Sequence, residues 1–394
     1  MIPQAMIDAG NAGSTIREIA EHGAQRAKVI GAENVFSFAI GNPSVPAPAC
    51  VQETIERLLH TMDPSVLHAY TAAPGLESVR QKIADYLQAS FGVGYRAGDL
   101  YLTHGASSAL AILPKALLLP GEEILTLTPY FPEYKAYTEA AGGVLTEVKS
   151  DPDTFQMDLA AVRQALSPNT KAVLLNSPNN PSGVVLTKKS LLALAEELEK
   201  REREYGHPIY LIADEPYREL VYGGLEVAFI PSFYKNTLYC YSFSKALSLP
   251  GERVGYIAIH PELDDYANVR AAICGAARML GYICAPALFQ YVAAECLGKT
   301  ADISVYEENR DLLYSSLESL GYSCIHPDGA FYLFVKALEP DARAFCSRAL
   351  NYELLFVPGD DFGAPGYVRI AYCVPRERIE RAMPAFRALA ESYR

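Results

Sequence analysis

The run Tyr241-Ser242-Phe243-Ser244-Lys245-Ala246-Leu247-Ser248-Leu249-Pro250-Gly251-Glu252-Arg253-Val254-Gly255-Tyr256 places one lysine between a pair of serines and a turn carrying Pro, Gly and an arginine, then enters the apolar segment 254–259. A lysine that attacks a carbonyl must be partly desolvated and set beside polar groups that fix its partner. Serine hydroxyls and a guanidinium fork are what a phosphate needs. An ordinary surface lysine beside a turn is the competing reading, and the surrounding chain has to decide between them.

On the N-terminal side of this run, strand-like and helical segments alternate. Strands are expected at 100–103, 123–127, 145–148, 172–176, 209–213 and 237–241, with helices at 107–119, 134–141, 159–166 and 191–205 between them. This alternation predicts an α/β fold with a mainly parallel sheet covered by helices on both faces. Ligands of such sheets gather at the carboxyl ends of the strands. After a helix-rich stretch at 263–297 come a long helix beyond Asp302, a strand at 331–335, a helix through Leu350, and strands at 354–357 and 368–372, which read as a smaller α+β lobe. Near the N-terminus, Thr15-Ile16-Arg17-Glu18 fits a capping box opening a helix that runs to Gly31. The proline-rich stretch 41–48 reads as an extended connector between lobes. The glycine-rich run 92–98 follows a helix and leads into a strand, the reverse of a dinucleotide-binding loop, and reads as a turn.

With 394 residues, half of them apolar, the chain can bury a large core and divide into two lobes. A formal charge of −12 and a pI near 5.2 argue against a nucleic-acid surface. The eight cysteines stand singly, with no C-x-x-C and no paired histidines, so no metal site and a reducing compartment are expected. The first thirty residues carry Asp8, Glu18 and Glu21 and no continuous apolar core, which predicts neither a secretory signal nor a membrane span and makes the cytoplasm the expected location.

Polar groups follow several predicted strands. Gly105-Ala106-Ser107 opens a helix after the strand 100–103, where backbone N–H groups and the Ser107 hydroxyl suit a phosphate or an ordinary N-cap. Asn176-Ser177-Pro178-Asn179-Asn180-Pro181-Ser182-Gly183 makes a double turn after the next apolar strand. Asp214-Glu215-Pro216-Tyr217 then puts an acid at a strand end, where it stays ionised only if something cationic or protonated meets it.

Taken in order, Asn180-Pro181-Ser182-Gly183, Asp214-Glu215-Pro216-Tyr217, Ser242-Phe243-Ser244-Lys245 and Gly251-Glu252-Arg253-Val254-Gly255 resemble the signature of class I/II aminotransferases, the fold-type I pyridoxal-phosphate enzymes, from about Gly41 to Arg369. The resemblance implies an aspartate aminotransferase-like fold: a large domain at 46–280 with a mixed, mainly parallel sheet that binds pyridoxal 5′-phosphate, and a small domain of residues 1–45, with the N-terminal arm, and 281–394. It also implies roles. Lys245 would bond to the cofactor aldehyde and shuttle a proton, Asp214 would pair with the ring nitrogen, and Tyr217 and Asn180 would hydrogen-bond the ring's phenolic oxygen. Gly105, Ala106, Ser107, Ser242 and Arg253 would bind the phosphate. Phe131, with Tyr130 as its rival, would stack on the ring.

For the substrate, an amino acid and then a 2-oxo acid, the resemblance implies that Arg369 clamps the α-carboxylate with help from Gly41 and Asn180. Tyr70 would reach the phosphate of a neighbouring subunit, which implies a homodimer with shared active sites. Arg278 lies roughly where aspartate-specific relatives carry an arginine for the side-chain carboxylate. The expected reaction is ping-pong transamination with aspartate or a similar donor. Two alternatives are β-elimination on the same scaffold and a non-catalytic sensor, the latter usually fused to a DNA-binding module. Nothing of that kind is visible in the roughly forty residues before Gly41.

Overall fold

The computed structural model describes residues 2–12 and 15–394. Helices at Gln4–Ala12 and Thr15–Ile30 lead to a short strand β1 (Phe36–Ser37). Thr15 is the first residue of its helix, and its hydroxyl donates to the Asp361 carboxylate, so the proposed capping role gives way to a tertiary contact; residues 13 and 14 lie outside the described residues. The connector that follows has no regular structure and is pinned where the Ser44 and Val45 N–H groups donate to the Tyr306 hydroxyl.

Seven strands then form one sheet: β2 (Leu100–Thr103), β3 (Glu123–Thr128), β4 (Val144–Lys149), β5 (Thr170–Asn176), β6 (Tyr210–Asp214), β7 (Thr237–Ser242) and β8 (Gly255–Ile259). Their order is β2-β8-β7-β6-β5-β3-β4; all pairings are parallel except the two that β8 makes, which are antiparallel. The expected α/β architecture is therefore present, with β8 as the element that makes the sheet mixed. Side chains alternate between two cores. Val173, Leu175, Leu211, Ala213, Tyr239 and Tyr241 enter one; Ala172, Leu174, Tyr210, Ile212, Leu238 and Cys240 enter the other. The run at 92–98 is a turn: Gly92 ends the helix Glu77–Phe91 in a left-handed conformation at φ 78°.

The C-terminal part builds β9 (Ser323–Cys324), β10 (Tyr332–Lys336), β11 (Leu354–Leu355), β12 (Val357–Pro358) and β13 (Tyr367–Ala371). Four of these make an antiparallel sheet in the order β12-β13-β10-β9, while β11 pairs in parallel with β1, which ties the N-terminal arm to this part of the chain. A separate core collects Phe38, Leu313, Phe345, Phe356, Ile370 and Phe386. Its last contributor, the helix Arg376–Glu391, was absent from the sequence reading. The helix Ala287–Glu295 packs on the large-sheet side: Val292, Ala293 and nearby Cys296 share a core with Leu87 and Val51. Residues 285–297 therefore pack with the core of the large sheet. Among the described residues, no helix is long and apolar enough to cross a membrane.

Candidate active site

Strand parity explains where the functional side chains point. Asn176, Asp214 and Ser242 end β5, β6 and β7, and each continues the every-second-residue series that faces the core shared with the helix Ala106–Leu117. Register sets Asn176 opposite Asp214 and Asp214 opposite Cys240. A cavity of about 240 Å³ opens at these strand ends, lined among others by Gly41, Ala106, Ser107, Phe131, Asn180, Tyr217, Lys245, Arg253 and Arg369.

At one end, Gly105 adopts φ +77° and leads into the helix Ala106–Leu117, which has no side-chain cap. A Cβ on Gly105 would come within 2.6 Å of Arg253 Nη2, and its φ of +77° is one that glycine adopts without strain, so glycine lets the guanidinium lie close to the loop. Arg253 itself sits at φ 54° and donates to the carbonyls of Pro250 (2.8 Å) and His104 (3.1 Å) and to Ser244 Oγ (3.4 Å). Ser242 Oγ contacts Ser244 Oγ at 2.9 Å. Two hydroxyls, a guanidinium and a helix N-terminus thus converge, a combination suited to a dianion.

In the middle lies Asp214, buried, with Oδ2 accepting from the Tyr134 hydroxyl at 2.5 Å and from Asn176 Nδ2 at 3.3 Å. Its Oδ1 is buried with no partner in the protein. Burial pushes the carboxyl up to about 7, against the lowering effect of Tyr134 and with a further rise from Glu215. Phe131 lines the cavity; Tyr130 turns away, its hydroxyl donating to Glu147 at 2.7 Å, so of the two aromatic candidates Phe131 is the one at the site.

Lys245, half-buried in the short helix Phe243–Ala246, donates from Nζ to the Gly41 carbonyl at 2.9 Å and lies 5.8 Å from the centre of the Tyr217 ring. Desolvation is the main cause that lowers its pKa to about 8; Cys373 opposes it, and the Arg369 and Arg253 charges add to it. At the far side, Arg369 on β13 is buried, with Nη1 donating to Asn180 Oδ1 (3.0 Å) and Nη2 to the Ala39 carbonyl (2.6 Å), while Nε has no partner.

Three expected residues do not line the cavity: Gly105, which immediately precedes the lining residue Ala106, and Tyr70 and Arg278, which lie away from it. Tyr70 is 97 % exposed, on a surface it shares with His68, Cys284 and Pro286. Arg278 is exposed in the last turn of the helix Tyr266–Leu280 and does not line the cavity of its own chain; that turn carries it to the surface beside exposed Met279 and Leu280. Conversely, Tyr134, Tyr332, Ser244, Asn176 and Ile16 belong to the site or its support and were missed. The sequence held a signal for Ser244, in the serine pair before Lys245, and for Asn176, at a strand end. Tyr134, Tyr332 and Ile16 read as core positions on helices or strands.

Comparison with known proteins agrees with this geometry. The family model for aminotransferase class I and II matches residues 33–386. The chain is 33% identical over 365 residues to a putative aminotransferase of Bacillus subtilis, covering 89% of this chain and 90% of that protein. It is 30% identical over 358 residues to the aspartate/prephenate aminotransferase of Thermus thermophilus, with 90% of each covered. Among solved structures, an aminotransferase from Eubacterium rectale superposes with a TM-score of 0.97 at 49% identity, covering 100% of this chain and 99% of the other. The Thermus thermophilus aspartate aminotransferase with maleate gives 0.84 at 28%, covering 96% and 97%.

Proposed function

From the premise that the chain belongs to the class I and II aminotransferase family, we propose that it moves an amino group from an L-amino acid, aspartate or a similar one, to a 2-oxo acid in two half-reactions separated in time, using pyridoxal 5′-phosphate held in the cavity. The observation that carries this reading is the Asp214 carboxylate, buried with Tyr134 on one oxygen and nothing on the other. A buried carboxylate oxygen without a partner is costly, and a protonated ring nitrogen is the group that would satisfy it. The cradle of Gly105, Ala106, Ser107, Ser242, Ser244 and Arg253 suits the phosphate in the same way. The bound cofactor supplies an electron sink for the bond broken at the substrate Cα.

The chain's own residues do the rest. Lys245, with its pKa near 8, is available as a neutral amine close to neutral pH and can take and return a proton at Nζ. Phe131, Tyr217 and Asn180 line the cavity, where Phe131 would cover one face of the ring and Tyr217 and Asn180 would hydrogen-bond its phenolic oxygen. Arg369 offers its free Nε, and Gly41 closes beside it over the substrate carboxylate. The exposure of Tyr70 supports a homodimer in which it reaches the partner's phosphate. The core contacts of residues 285–297 favour a small lobe that begins near residue 301. Eight free cysteines fit a cytoplasmic setting.

The test is a panel of amino acids mixed with the cofactor-loaded protein. Loss of the visible band with formation of the matching 2-oxo acid supports the reading; release of pyruvate and ammonia from cysteine conjugates, without transfer, contradicts it.

A further inference from the structure

We propose that Tyr332 is a positioning residue that serves two functional groups at once: its ring holds the Arg369 guanidinium for a carboxylate, and its hydroxyl donates to Tyr217 and strengthens the hydrogen bond that Tyr217 gives. The proposal rests on the aminotransferase reading of the cavity.

Tyr332 opens β10, is only 3 % exposed, and still lines the cavity. In the β10–β13 ladder Arg369 stands opposite Phe334, so Tyr332 is its diagonal neighbour on the same face. The Arg369 guanidinium carbon lies 4.6 Å from the Tyr332 ring centre and 5.0 Å from that of Phe362. A planar, weakly hydrated cation against aromatic faces keeps one orientation, and with Nη1 and Nη2 each donating once, the Nε–H and the second hydrogen of each Nη remain as donors for a carboxylate.

The hydroxyl is placed with equal definition. It lies 3.0 Å from the Tyr217 hydroxyl, and any Cβ at Gly41 would overlap it, so the connector at Gly41 is shaped around this oxygen. A phenol carries one proton. When Tyr217 gives its proton to a ligand oxygen, the proton between the two tyrosines comes from Tyr332. Burial pushes the Tyr332 pKa up to about 12, which keeps that proton in place at neutral pH. The resulting chain, Tyr332 to Tyr217 to ligand oxygen, is cooperative, each donor being more polar for accepting a bond itself.

The two functions separate in Tyr332→Phe, which keeps the ring, and Tyr332→Leu, which removes both. In the holoenzyme, Tyr332→Phe is expected to raise the midpoint of the visible pH titration by about half a unit and to leave the dissociation constant of succinate, used as a carboxylate probe, within about twofold of wild type. Tyr332→Leu is expected to raise the midpoint similarly and weaken succinate binding by about fivefold or more. An unchanged midpoint in Tyr332→Phe, or succinate binding in Tyr332→Leu equal to wild type, overturns the proposal. So does a Tyr332→Phe variant that loses succinate as Tyr332→Leu does. A wild-type protein that gains no visible band from pyridoxal phosphate fails at the earlier step, removing the aminotransferase reading and the proposal with it.

Discussion

The Tyr134 hydroxyl donates to Asp214 Oδ2 at 2.5 Å, on the same carboxylate whose Oδ1 is buried without a partner. Tyr134 thereby opposes the burial that raises the Asp214 pKa. Tyr134→Phe removes a hydrogen bond to a charged group, for which about 1.5 kcal/mol, or roughly tenfold, is the expected loss. Transamination at pH 7 should fall by about that factor, and the Asp214 carboxyl, followed by its carbon chemical shift in the apoprotein, should titrate above about 7. Unaltered titration in the variant would remove Tyr134 from this role.

Tyr134 also shows where the sequence stops being legible. The strand ends and Lys245 with its serines were readable because each stands in a local pattern of apolar strand followed by polar turn, whereas Arg369, inside the strand Tyr367–Ala371, was legible only through the family resemblance. Tyr134 and Tyr332 act through partners 80 and 115 residues away, Asp214 and Tyr217 respectively. A tyrosine on a helix face or in an apolar strand carries no local mark that distinguishes its hydroxyl from packing. The side on which the helix Ala287–Glu295 packs was illegible for a related reason: it is apolar enough for either core, and only its docking on the helices Ala49–Thr61 and Glu77–Phe91 decides.

Asp214 makes stability depend on pH in a definite direction. Its folded pKa, about 7, lies above the ordinary 3.8, so between those values the folded apoprotein binds more protons than the unfolded chain. Stability therefore falls as pH rises from about 4 to about 7 and gains nothing back above it. Asp214→Asn removes this contribution. The melting temperature of the apoprotein variant should exceed wild type at pH 8, and the difference should shrink toward pH 4. A difference constant across that range would contradict the assignment.

Gly41 is required by space. A side chain there would overlap the Tyr332 hydroxyl, whereas a Cβ at Gly94 meets nothing within 4 Å. Overpacking of this kind costs about 1–3 kcal/mol. Gly41→Ala should lower kcat/KM by about tenfold or more, and Gly94→Ala should leave it within about twofold; similar effects at both positions would deny Gly41 a special place.

Arg278 is exposed and lies off the cavity of its own chain. Arg278→Ala should leave the ratio of kcat/KM for aspartate and alanine unchanged within about twofold. A selective loss of aspartate activity would instead put this arginine in the partner's site.

The account depends most on Lys245 being the residue that captures the cofactor, placed as it is between the Gly41 carbonyl, the Tyr217 ring and the guanidinium of Arg253 across the cavity. The direct measurement is to load the protein with pyridoxal phosphate, reduce with borohydride, digest, and locate the modified lysine by mass spectrometry, with Lys245→Ala in parallel. The account predicts one stoichiometric label on Lys245 and, in the variant, neither label nor visible band. A stoichiometric label on another lysine, or a visible band that survives in Lys245→Ala, would contradict it.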